Sequence, residues 1–149
     1  MTDLQDAPVR GQADITDRAD LEALLRSFYG QVMVDALLAE PFTEVRDVSG
    51  LDSHIPVMAD FWETVLFRAG LYQGSALPAH LKVHDRTPLA GQHFVRWLTT
   101  WVASVDAMFA GPVAHRAKTE GARIAWAMHR RLTGVNATDL DALVSLTRR

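Results

Sequence analysis

The 149-residue chain predicts an all-α domain on three observations. Apolar residues recur at three- and four-residue spacing in each long segment, as one face of a helix requires. No apolar–polar alternation of the kind a half-buried strand needs runs beyond four residues. Helix punctuation is explicit at Thr87-Pro88, Gly111-Pro112 and Gly134, where proline starts and glycine stops such segments.

Residues 1–15 show no period and are expected to form a loose, flexible arm. Leu21, Leu24, Leu25, Phe28 and Val32 then mark a first helix, with Thr16, Asp17 and Asp20 as its N-cap and first-turn acids. Asp35 to Pro41 reads as a short helical turn stopped by proline, with Phe42 in the loop that follows. A helix opening at Ser49 to Ser53 presents Ile55, Met58, Phe61, Trp62, Val65 and Leu66 on one face and stops near Gly70. Leu71 to Pro78 is expected as loop, His80 to His84 as a short helical piece, and Asp85 to Thr87 as a polar break. With Thr87 as N-cap and Pro88 at its first position, the next helix carries Phe94, Trp97, Leu98, Trp101, Val105, Met108 and Phe109. The last long helix runs from Gly111-Pro112 to Gly134 with Val113, Ala117, Ile124, Trp126, Ala127, Met128 and Leu132. The domain thus occupies residues 16–134, and the tail, 135–149, offers one more amphipathic turn or two. No internal repeat is visible.

Composition narrows the chemistry. Without a single cysteine there are no disulfides, thiolate zinc sites, iron–sulfur clusters or cysteine nucleophiles. A net charge of −3 gives no broad footprint for nucleic acid. No apolar run approaches the ~18 residues of a membrane span, and the start of the chain lacks the basic and apolar stretches of a signal peptide. A cytoplasmic protein that contacts neither nucleic acid nor membrane is expected. The G-x-S-x-G, Walker, dinucleotide-binding and H-E-x-x-H patterns are all missing.

Six histidines remain as donors. His80 and His84 stand four apart on one helical face, spaced either to share a metal or merely to flank each other. His115 and His129 sit among Arg and Lys and read as solvated. His54 differs, one turn before Met58 on an apolar stripe that includes Trp62. Tyr29 beside Phe28 likewise places a hydroxyl on an apolar face, and Trp97 places an indole N–H on another. Each alone is explained by core packing. Together they suit a large flat apolar ligand with a central metal.

The ordered motifs now matter. Phe28-Tyr29, Pro41-Phe42, His54 with Phe61-Trp62 following, Tyr72-x-Gly74, Pro78-Ala79-His80, His93-Phe94-x-x-Trp97-Leu98 and Phe109-x-Gly111 before an alanine-rich helix resemble the group III truncated haemoglobins. The resemblance spans about Leu21 to Leu132, and the absence of a Gly-Gly pair after the first helices is similar to this group rather than to groups I and II. It implies a globin-like two-over-two helical sandwich around haem b, iron protoporphyrin IX. His80 corresponds to the proximal iron ligand, supported by Pro78 and Leu81, with His84 a second candidate one turn on. Tyr29, His54 and Trp97 correspond to the distal ligand-stabilising set. Phe42 matches the phenylalanine at the haem edge, and Phe28, Met58, Phe61, Trp62, Tyr72, Leu77 and Trp97 the pocket lining.

The resemblance implies five-coordinate iron that binds dioxygen, nitric oxide or carbon monoxide. Two prepositioned donors at roughly 0.5–1.5 kcal/mol each would slow oxygen release on the order of ten- to hundredfold. Slow release favours redox chemistry, such as nitric oxide dioxygenation or peroxidase-like turnover. A separate reductase is then expected, because the chain has no flavin or nicotinamide motif. A gas sensor or ligand store without turnover is the alternative, although no output domain is fused to the chain. An apo interaction module ranks last, since it would strand three polar side chains in an empty cavity.

Overall fold

The computed structural model describes residues 12–43, 45–46, 50–67 and 77–134. Five helices appear among them and no strand: α1 (Arg18–Val32), α2 (Leu51–Phe67), α3 (Leu77–Arg86), α4 (Gly91–Met108) and α5 (Pro112–Thr133). α1 packs on α2 and α4 packs on α5; α1 also crosses onto α4, and α2 onto α5, so two helix pairs lie one over the other. α3 rests against α5. This is the all-α, two-over-two arrangement expected from the sequence.

The apolar stripes meet in one core. Leu21, Leu24, Leu25, Phe28 and Val32 from α1 are completely or almost completely buried, as are Ile55 and Ala59 from α2 and Leu98, Trp101 and Val105 from α4. Ala114, Ala117, Ala122 and Ala125 line the buried side of α5, and their small size lets α4 come close. Closest of all is Gly121. A Cβ there would stand 2.6 Å from Trp101 Cδ1 and 2.7 Å from its Nε1. The Trp101 indole N–H donates to the Ala117 carbonyl at 2.9 Å.

α1 begins as its sequence dictates. The Asp20 backbone N–H donates to the Asp17 side chain at 3.1 Å, and Asp20 in turn accepts from the Thr16 N–H and hydroxyl, both at 2.8 Å. Those Thr16 bonds outweigh burial and hold the Asp20 carboxyl below its ordinary range. Arg18 pins this end of α1 to α2 through Asp60 at 2.6 Å and Glu63 at 2.8 Å. After α1, Asp35 accepts from the N–H groups of Leu37 and Leu38 and from Arg96 of α4. Burial opposes its ionisation, but these three bonds outweigh it and lower its pKa.

Four expectations need correcting. The arm is not loose up to residue 15: Ile15 is 1% exposed, and Asp14 accepts from the N–H groups of Val113 and Ala114 at 2.9 and 2.7 Å. It thereby caps α5 from 99 residues away, where the unpaired first-turn N–H groups need an acceptor. Residues 1–11 lie outside the described residues, as do the tail, 135–149, and the expected stop at Gly70. Leu77 and Pro78 are helical rather than loop, because α3 starts at Leu77. That helix also takes in Asp85 and Arg86 of the expected polar break. Finally, α4 starts at Gly91 rather than at Thr87-Pro88. His84 Nδ1 accepts the Leu89 N–H at 2.9 Å and Leu89 is buried, so 87–90 forms a strap between helices; His93 Nδ1 then caps α4 by accepting the Ala90 N–H.

Candidate functional site

Tyr29 and His54 meet where α1 crosses α2. Their rings stand edge to face, centroids 4.9 Å apart at 86°. Phe42, from the turns after α1, packs edge-on against Tyr29 at 5.8 Å, and Phe28 does so from the core side at 4.9 Å. Phe28 also touches Trp97 of α4 at 5.6 Å and Trp101 at 5.2 Å. Five of the expected site residues, Phe28, Tyr29, Phe42, His54 and Trp97, thus form one aromatic cluster fed by three helices and the turns after α1.

The polar atoms of this cluster are shaped by burial. Tyr29 is 5% exposed, and desolvation pushes its hydroxyl pKa well above the ordinary value, so the phenol keeps its proton as a donor. His54 is half-buried, and desolvation, followed by repulsion from His80, lowers its pKa. The imidazole is therefore neutral at pH 7. His54 Nε2 itself is buried with no hydrogen-bond partner among the described residues. Leaving such an atom unsatisfied costs about 1–3 kcal/mol. The repulsion also places His80 of α3 within electrostatic reach of His54.

His84, the second candidate of the pair, is spent differently. Its Nδ1 accepts the Leu89 N–H, a structural role that orients the ring along the strap. Trp62, expected in the pocket lining, instead stacks on Trp101 at 4.6 Å and 18° and is 3% exposed. Trp97 stacks on the other partner of that layer, Trp101, at 6.1 Å and 13°. Met58 and Phe61 are half-buried against the core. Tyr72 and the Leu77 side chain lie outside the described residues. His129, read as solvated, is 5% exposed and meets the Phe94 ring at 5.4 Å. Its position on the α5 face turned toward α4, in register with Ala122 and Ala125, was the signal for that burial.

No three His, Asp or Glu side chains among the described residues lie close enough together to hold a metal ion. A single histidine suffices as the protein's ligand where an organic ring supplies the others. The donor set suits such a ring: one histidine on α3, and Tyr29, His54 and Trp97 in the aromatic cluster. A separate, open depression of about 580 Å³ after α1, lined by Met33, Val34, Asp35, Ala39, Thr43 and Arg46 among others, includes none of these side chains.

The helix pairing defines the class: a two-over-two globin fold. The structure is similar to the crystal structure of the group III truncated haemoglobin from Campylobacter jejuni, with a TM-score of 0.70 and 20% identity, over 81% of this chain and 94% of that one. No family model and no curated protein sequence matches the chain. No described helix is long and apolar enough to cross a membrane.

Proposed function

We propose that this chain is a haem protein that binds small diatomic ligands, dioxygen foremost, between His80 and the Tyr29–His54–Trp97 cluster. The observation that carries the reading is the buried, partnerless Nε2 of His54, set against Tyr29 and within electrostatic reach of His80. Haem b would supply an iron that accepts an imidazole and a diatomic ligand. His80, which matches the proximal position of the resemblance, would hold it, while the His84 Nδ1 accepts the Leu89 N–H. Phe28, Phe42, Met58 and Phe61 would meet the apolar ring, while Trp62 supports Trp101 from behind.

The protein side of ligand binding follows from protonation. A phenol that burial keeps protonated donates to a ligand that gathers negative charge. A neutral His54 donates or accepts at Nε2 without bringing a net charge. The Trp97 indole N–H is the third donor, on a ring held flat by Trp101. Because these groups are packed in advance, they need little reorganisation as a ligand arrives. Slow oxygen release follows, and with it redox turnover of nitric oxide or peroxide supplied with electrons by a separate reductase. Carbon monoxide, a poor hydrogen-bond acceptor, would gain less from the three donors.

Titrating the purified apoprotein with haemin tests the reading. One equivalent should saturate a Soret band that shifts when the reduced protein meets carbon monoxide. A band that grows without saturation, at the position of free haemin, sinks it.

A further inference from the structure

Three of the chain's four tryptophans share one layer through the core. The Trp62 ring stacks on Trp101 at 4.6 Å and 18°, and Trp101 stacks on Trp97 at 6.1 Å and 13°. Burial increases away from the candidate site. Trp97 is half-buried at the aromatic cluster, Trp101 is wholly buried, and Trp62 is 3% exposed. Backbone holds the middle ring: the Trp101 N–H donates to the Ala117 carbonyl at 2.9 Å, an approach that Gly121 permits by offering no Cβ. Offset stacking also serves packing; what sets this layer apart is the chemistry of indole.

Indole and phenol are the side chains here that give up a single electron most readily, since the chain has no cysteine. A phenol sheds its proton as it does so. Burial alone acts on the Tyr29 hydroxyl, with no base among the described residues bonded to it. An indole, by contrast, keeps its N–H proton and carries the positive charge on the ring. Such a charge is costly in a core unless something compensates it. Two features do so here: the face of a neighbouring indole attracts a cation, and the Ala117 carbonyl dipole meets the Trp101 N–H. The fourth tryptophan is opposed, because the Arg130 guanidinium lies over the Trp126 ring at 5.9 Å and like charges repel. Burial of Trp101 and Trp62 also keeps water from attacking an oxidised ring.

We propose that Trp97, Trp101 and Trp62 form a hole relay that draws an oxidising equivalent out of the candidate site. This rests on the haem reading above, with hydrogen peroxide as the oxidant. Converting one peroxide to two waters takes two electrons and two protons. When no reductase supplies electrons, one comes from the haem and one from the Trp97 indole, and both protons come from solvent. Trp101 then gives an electron to Trp97, and Trp62 gives one to Trp101. The positive charge moves inward with no atom transferred, and it persists on Trp62 until a one-electron donor such as ascorbate fills it.

The test treats the full-length haem-loaded chain with hydrogen peroxide and freeze-quenches it for electron paramagnetic resonance, after the Soret band is recorded. The parent should show an indole radical. Trp101→Phe breaks the layer, and Trp62→Phe removes its far end. Each should lose most of that signal at the later quench times and bleach the Soret band sooner. Trp126→Phe, whose native ring sits under Arg130, should match the parent. Where circular dichroism shows that Trp101→Phe fails to fold, Trp62→Phe decides alone. A haem-loaded parent without an indole radical overturns the proposal, as does a tyrosyl radical lost in Tyr29→Phe, or parent-like signals in the layer variants. Failure to bind haem counts against the earlier reading. In that event flash photolysis of the apoprotein with a ruthenium tris(bipyridine) photo-oxidant, in a Trp126→Phe background, still judges the relay. An indole radical that decays faster in the layer variants upholds it, and equal decays overturn it.

Discussion

Tyr29 and His54 show how burial sets the protonation of the candidate site. The Tyr29 hydroxyl is held protonated by desolvation alone, which makes it a dependable donor. Tyr29→Phe removes that donor and keeps the edge-on ring contacts with Phe28, Phe42 and His54. The oxygen dissociation rate measured by stopped flow should rise about tenfold, the equivalent of one hydrogen bond of about 1.4 kcal/mol; an unchanged rate removes the hydroxyl from the account. His54 makes a prediction about pH. Its folded pKa lies below the ordinary 6.5, so below that pH the unfolded chain binds the proton first. Apoprotein stability should therefore be full above pH 6.5 and decline as the pH falls toward the folded pKa, and His54→Phe should remove that part of the decline in urea titrations. Tyr29 and His54 were legible in the sequence because polar side chains interrupt apolar stripes there. His129 was misread because its neighbours Arg130 and Arg131 suggest an exposed face, although its register with Ala122 and Ala125 pointed inward, where the ring meets Phe94.

At the scale of elements, two contacts decide how α4 and α5 sit. Gly111 has φ of +140°, and a Cβ there would fall 2.5 Å from Asp14 Cγ, so the corner admits only glycine while Asp14 caps α5. Asp14→Ala should destabilise the fold by about 1 kcal/mol, the usual cost of losing an N-cap, read as a lower urea midpoint at constant slope. Gly121→Ala is the sharper case. Glycine-to-alanine in a helix is ordinarily worth about 1 kcal/mol in favour of alanine. Here the new methyl group meets Trp101, wholly buried, bonded to Ala117 and layered between Trp62 and Trp97. Overpacking of about 1–3 kcal/mol wins, and thermal unfolding should come earlier; a higher midpoint would show that the indole layer yields. Periodicity revealed the helices themselves, but not these joints. The Asp14 cap couples positions about a hundred residues apart, and the start of α4 moved to Gly91 because His84 and buried Leu89 hold the strap straight.

For the whole molecule, the all-α class follows from stripes that were already in the sequence, since each of the long helices has one apolar face and four such faces close on one core; the two-over-two pairing was implied only by the resemblance. The position of α3 was less legible, since it is short and its contacts run mainly to α5. If His80 and the aromatic cluster enclose haem, then occupancy is linked to folding, and the thermal midpoint should rise with free haem concentration as for any ligand that binds only the native state. Differential scanning calorimetry across a haemin series checks this; a midpoint that stays fixed contradicts it.

The most direct measurement compares ferrous spectra of the haem-reconstituted parent, His80→Gly and His84→Gly, each with and without free imidazole. The His80 variant should lose the five-coordinate histidine-ligated spectrum and regain it when imidazole enters the vacated space, while the His84 variant keeps it throughout. A parent-like spectrum in the His80 variant, or its loss only with His84→Gly, would contradict the assignment of the iron to His80.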